Sequence, residues 1–94
     1  MNEVISPELI EKELIPKLKF KGKVELQQSP ELMSKLKKAT RLGNIHHGKI
    51  RIDFLDDDGL KSVETTIWAT GAKYICLKGG IWLPISRIRD IQYK

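Results

Sequence analysis

The chain changes its hydrophobic period about halfway along. Between residues 30 and 42, Leu32, Leu36, Ala39 and Thr40 recur on one stripe while Lys35, Lys37, Lys38 and Arg41 fall elsewhere, which predicts an amphipathic helix with one face in a core. Ser29-Pro30-Glu31 suits its start: a serine oxygen for an orphan backbone N–H, a proline where no bond is lost, and a carboxylate at the positive end of the dipole. Gly43-Asn44 suits its end. The same tetrapeptide, SPEL, stands at Ser6 to Leu9, and Leu9, Ile10, Leu14 and Leu18 keep a helical period. Pro16 interrupts that stretch, so a first helix is predicted to end near residue 14. Between the helices, Phe20, Val24 and Leu26 approach alternation with Lys21, Lys23 and Glu25, the pattern of a short extended segment.

Beyond residue 45 the period drops to two. Ile50, Ile52 and Phe54 alternate with Lys49, Arg51 and Asp53, which predicts a strand with one wet face. Asp58-Gly59 is a hairpin signal, and Val63, Thr65, Ile67 and Ala69 mark one face of the returning strand. Thr70-Gly71-Ala72 turns the chain again. Ile75 and Leu77 then lie on one face of a third strand, with Tyr74, Cys76 and Lys78 on the other, and Gly79-Gly80 leads into a fourth, Ile81 to Leu83. Pro84 cannot donate to a ladder, so that strand should stop there; ISRI predicts one turn of tight helix, and Asp90 to Tyr93 a last strand. The fold class expected is α+β: N-terminal helices packed on a small five-stranded antiparallel barrel of SH3-like or Sm-like kind, or on a strongly bent meander. One domain spans 1–94, with a helical part at 1–44 and the β-meander at 45–94.

This layout sorts the rings from the aliphatics. Trp68 points opposite to Ile67 and Ala69, Tyr74 opposite to Ile75, and Trp82 opposite to Ile81 and Leu83, so the aromatics share one face of the sheet. The helix around Leu32 to Ala39 must cover something, and a tryptophan buries about 150–250 Å²; the expectation is that this helix lies over the aromatic face. The alternative leaves the rings outside, beside Lys78, Arg87 and Arg89.

Charge sharpens the alternative. The net charge is +5 over 94 residues, unevenly spread. Residues 12 to 51 carry eleven Lys/Arg against three acids, residues 52 to 66 carry five acids and one lysine, and residues 67 to 94 carry five bases and one acid. Two basic blocks flanking an acidic turn can draw a polyanion to one side of the molecule. Lys17, Lys19, Lys21 and Lys23 stand at every second position around Phe20; on an extended segment they would form a strip about 7 Å apart that follows a phosphate backbone. The competing reading is a solvated edge strand protected by its lysines.

The segment VETTIWATGAKYICLKGGIWLPISRI resembles a pattern in short bacterial proteins of unknown function, in which an ETT strand precedes a tryptophan, followed by an LKGG hairpin, then IP and an RI pair. The resemblance covers roughly residues 45 to 94 and implies no activity. The expected barrel is similar to the Sm and SH3-like superfolds, which bind RNA, peptides or other proteins, and a fold so widely shared does not choose among them.

Other chemistry is poorly supported. His46 and His47 are adjacent, so on a strand they diverge, and one cysteine completes no four-ligand metal site. DDDG fails as a calcium loop: with Gly59 at the glycine position, the closing glutamate falls on Thr65 and the first ligand on Phe54. Cys76 reads as a small buried hydrophobe, and a lone cysteine suits a reducing compartment. The expectation is therefore a non-enzymatic, cytoplasmic protein without cofactor, metal or membrane span that binds RNA or single-stranded DNA. Its phosphate contacts would come from Lys17, Lys19, Lys21, Lys23, Lys78, Arg87 and Arg89, and its stacking from Trp68, Tyr74 and Trp82. A protein-interaction or self-association module is the alternative, docking through a strand edge or the aromatic face.

Overall fold

A computed structural model describes residues 7–22, 26, 28–46 and 48–93, without the side chains of residues 44–46. Among these residues it is α+β, with one α-helix, α1 (Leu32–His46), and seven strands: β1 (Glu8–Leu9), β2 (Ile50–Leu55), β3 (Leu60–Thr65), β4 (Ile67–Thr70), β5 (Tyr74–Leu77), β6 (Ile81–Pro84) and β7 (Ile88–Tyr93). These pair as two sheets, in the orders β1-β3-β2-β7 and β4-β5-β6.

The strand predictions beyond residue 50 hold closely. The tight helical turn expected at ISRI forms at Ile85–Arg87, with Pro84 ending β6 before it. The single returning strand does not form. It breaks at Thr66 into β3 and β4, where Thr66 is buried, its hydroxyl donates to Gly48 O at 3.0 Å and its carbonyl accepts Lys78 N at 2.9 Å. With its backbone oxygen spent on the turn after β5, Thr66 cannot extend one continuous ladder, and the strands divide between two sheets. Among the described residues the expected five-stranded barrel is not closed by hydrogen bonding.

Among the described residues the expected first α-helix does not form. Glu8 and Leu9 pair in parallel with Lys61 and Ser62 of β3, and Ile10 N donates to Ser62 O at 2.8 Å. An otherwise open edge of β3 offers backbone partners, and that tertiary demand outweighs a weak helical stripe. After β1 the chain forms a 3-10 helix, Lys12–Lys17, containing Pro16 and burying only Ile15. The expected cap Ser6 lies outside the described residues.

The second start signal works: Ser29 Oγ accepts Glu31 N at 3.2 Å, and α1 begins at Leu32. Gly43 does not end the helix, which runs on to His46. A Cβ at Gly43 would lie 2.7 Å from Thr66 Cγ2 and 3.0 Å from Ile67 O, so glycine here permits close approach of α1 to β4. The hydroxyls of Thr40 on α1 and Thr70 on β4 lie 2.6 Å apart along the same contact. Leu32, Leu36 and Ala39 enter one core with Ile52, Phe54, Ile67, Ile75, Leu77, Leu83, Ile88 and Ile91. The helix thus covers the aliphatic side of the sheets, each fully buried Leu or Ile contributing about 1.5–3 kcal/mol.

Candidate functional site

The β4-β5-β6 sheet is aliphatic inside and aromatic outside. Ile67, Ile75, Leu77 and Leu83 are each 0% exposed, whereas Trp68, Tyr74 and Trp82 are 47%, 49% and 58% exposed. The expectation that α1 lies over the rings is overturned, because its apolar stripe is consumed by the opposite face. Register explains the outward row. Cys76 stands opposite Trp82 on one neighbour and Ala69 on the other, Tyr74 stands opposite Pro84, and the β4-β5 ladder slips between Ile67 and Ala69. Trp68 is the extra residue of that bulge, so it and Ala69 both face outward. Ala69 was expected beside Ile67; the bulge moves it across and leaves it exposed.

The cations are arranged differently from the sequence-based expectation. Arg87 is buried, 5% exposed, and is not a free phosphate ligand. Its guanidinium donates to Leu55 O at 3.2 Å, to Gly22 O and to Asp57 Oδ1 at 3.0 Å, and lies over the Phe20 ring. Arg89 is exposed but belongs to β7, in the other sheet. Lys17, Lys19 and Lys21 are exposed, yet Lys17 ends the 3-10 helix, so the period-two strip does not extend through it. Lys23 lies outside the described residues, as do Val24 and Glu25 of the expected extended segment. Lys78 is exposed in the turn after β5 and shares a small cleft with Lys12, Glu11 and Glu64. Lys73, exposed in the turn before β5, was missed. Its signal was available: from residue 65 through 89 the chain contains no Asp or Glu, so Lys73 has no carboxylate close to it in sequence.

The acidic turn is an anchor as well as a hairpin tip. Asp56 is buried and its Oδ1 accepts Asp58 N at 2.9 Å, Gly59 N at 2.8 Å and Lys61 Nζ at 3.3 Å. Asp57 accepts Gly22 N and Lys21 N, each at 3.0 Å, while its own N donates to Lys19 O at 2.8 Å. Those backbone donors at Gly22 and Lys21, joined by Arg87, hold the Asp57 carboxyl below the usual carboxylate range. The lysine-bearing segment is thereby fastened beside β6. Between them runs a groove of about 360 Å³, with Pro16, Leu18 and Phe20 on one wall and Tyr74, Trp82 and Pro84 on the other.

His46 closes α1, its side chain is not described, and His47 lies outside the described residues. Among the described residues no group of three or more His, Cys, Asp or Glu is placed to hold a metal ion. Cys76 is buried, with its thiol 3.7 Å from Leu77 O. No helix among the described residues is long and apolar enough to cross a membrane. No family model, no curated protein and no solved structure matches this chain.

Proposed function

We propose that this is a small non-enzymatic protein that binds single-stranded nucleic acid, with Trp68, Tyr74 and Trp82 as a stacking surface. The observation that carries this reading is the exposure of all three rings on one outer face of a sheet whose inner face is saturated with aliphatics. Every base has a flat π-face, so such a surface accepts bases without regard to sequence, at about 1–3 kcal/mol per stacked base. The net charge of +5 supports it through attraction of phosphates. The order of strands, a bent antiparallel path with a helical turn before the last strand and β7 returned beside β2, supports reading the fold as an open relative of the SH3-like and Sm-like barrels. The lone cysteine supports a cytoplasmic setting.

The groove beside β6 favours one other reading, a protein-interaction or self-association module, because prolines and aromatic rings line it. Salt separates the two. Tryptophan emission titrated with a mixed-sequence oligonucleotide should be quenched at low salt, and the affinity should fall steeply as salt rises. No quenching at low salt, or an affinity indifferent to salt, counts against nucleic acid.

A further inference from the structure

We infer that the nucleic acid crosses the outer face of the β4-β5-β6 sheet along β5, with its phosphates held by Lys73 at one end and Lys78 at the other; this rests on the function proposed above. Lys73 immediately precedes β5, Lys78 immediately follows it, and both are exposed. Five residues of extended chain place their Cα atoms roughly 16 Å apart. Between them the rings form two rows, Tyr74 with its partner Pro84, then Cys76 flanked by Trp82 and by the Trp68 bulge. The rows are two residues apart on β5, roughly 7 Å, close to the phosphate repeat of an extended single strand, so the surface spans two or three nucleotides. Charge agrees along the path itself: the sheet carries no carboxylate, and a strand laid this way meets Lys73 on entering and, on leaving, Lys78 and Lys12 in a cleft that Glu11 and Glu64 also line. The other described cations expected to hold phosphates lie off this line. Arg87 is buried, Arg89 belongs to the other sheet, and Lys17, Lys19 and Lys21 stand on the segment across the groove from β6.

The test is the salt slope of binding, with oligo-dT and oligo-U of about eight nucleotides, from about 50 to 200 mM salt. Two phosphate contacts on a single strand predict a log–log slope of about −1.4, and Lys73→Ala or Lys78→Ala should each flatten it by about 0.7. Trp68→Ala or Trp82→Ala should weaken binding about 5- to 150-fold while leaving the slope. The triple variant Lys17→Ala, Lys19→Ala, Lys21→Ala should bind with the wild-type slope. All these positions are exposed, and circular dichroism melts confirm that each variant folds. Either oligonucleotide behaving this way supports the inference, and the tighter one identifies the sugar. If the triple variant flattens the slope while Lys73→Ala and Lys78→Ala do not, the strand lies in the groove beside β6: this inference fails and the proposed function stands. If neither oligonucleotide binds at low salt, or tryptophan emission instead follows protein concentration as copies associate through the rings, both fail.

Discussion

Arg87 and Asp57 show what one pair of residues does between two distant segments. Arg87 joins Leu55, Gly22 and Asp57, and Asp57 holds the backbone of residues 21 and 22. Truncation at Arg87 removes the guanidinium from the carbonyls of Leu55 and Gly22 and from a carboxylate that keeps only its backbone donors, so Arg87→Ala should cost about 3 kcal/mol, measured by urea unfolding. Asp57 gives a pH signature. Its folded pKa is lowered, first by Gly22 N–H and then by Lys21 N–H, so its contribution is complete above the ordinary carboxylate pKa. That contribution is lost as pH falls through the lower folded value. Glu31, lowered chiefly by the Ser29 hydroxyl, titrates in the same acid range, so the comparison needs a variant: Asp57→Asn should flatten the acid limb of Tm against pH and leave the part due to Glu31. At this scale the shared face of the rings was legible, because period two reports side-chain direction directly; their exposure was not, because the face that α1 covers is set by packing with distant strands. The burial of Arg87 was not, because its partners lie at least 30 residues away in sequence and nothing local distinguishes it from Arg89.

Among the elements, α1 and β4 depend on close approach. Alanine normally favours a helix by about 1 kcal/mol over glycine. At Gly43 the added methyl would meet Ile67 O at 3.0 Å, a backbone atom that cannot swing aside. Gly43→Ala should therefore lower stability by about 1–3 kcal/mol despite its helix propensity, read as a fall in the urea midpoint at constant m-value. The elements after residue 50 could be read from sequence because each strand announces itself by alternation and each turn by its own residues. The first ten residues could not, since Glu8 and Leu9 are placed by an edge of β3 some fifty residues on. Gly43 misled for a related reason: the same residue type ends a helix or admits a neighbour, and only the neighbour decides.

For the whole molecule the central property is sidedness. Leu83 and Trp82 are adjacent on β6, one 0% and the other 58% exposed. Leu83→Ala should cost about 2–5 kcal/mol. Trp82→Ala should change stability by no more than about 0.5 kcal/mol, and denaturant midpoints for the two variants measure the contrast. The α+β class and the separation of ring and aliphatic faces were readable from one sequence; the division into two sheets was not, because it turns on the hydrogen bonds of Thr66 to Gly48 and Lys78.

The irregularity at Trp68 reaches beyond the ring it displays. By spending one additional residue, β4 resets its phase, so that Thr70 turns inward and brings its hydroxyl to Thr40 on α1. Without the bulge the same residues would alternate plainly, Ala69 turning inward and Thr70 outward: the indole keeps its outlook, but the threonine swings away and the helix loses its latch. Attachment of the helix is thus set by a single inserted unit of chain, whereas the outlook of the ring follows from Ile67 alone, and shortening β4 by Ala69 should leave both in place.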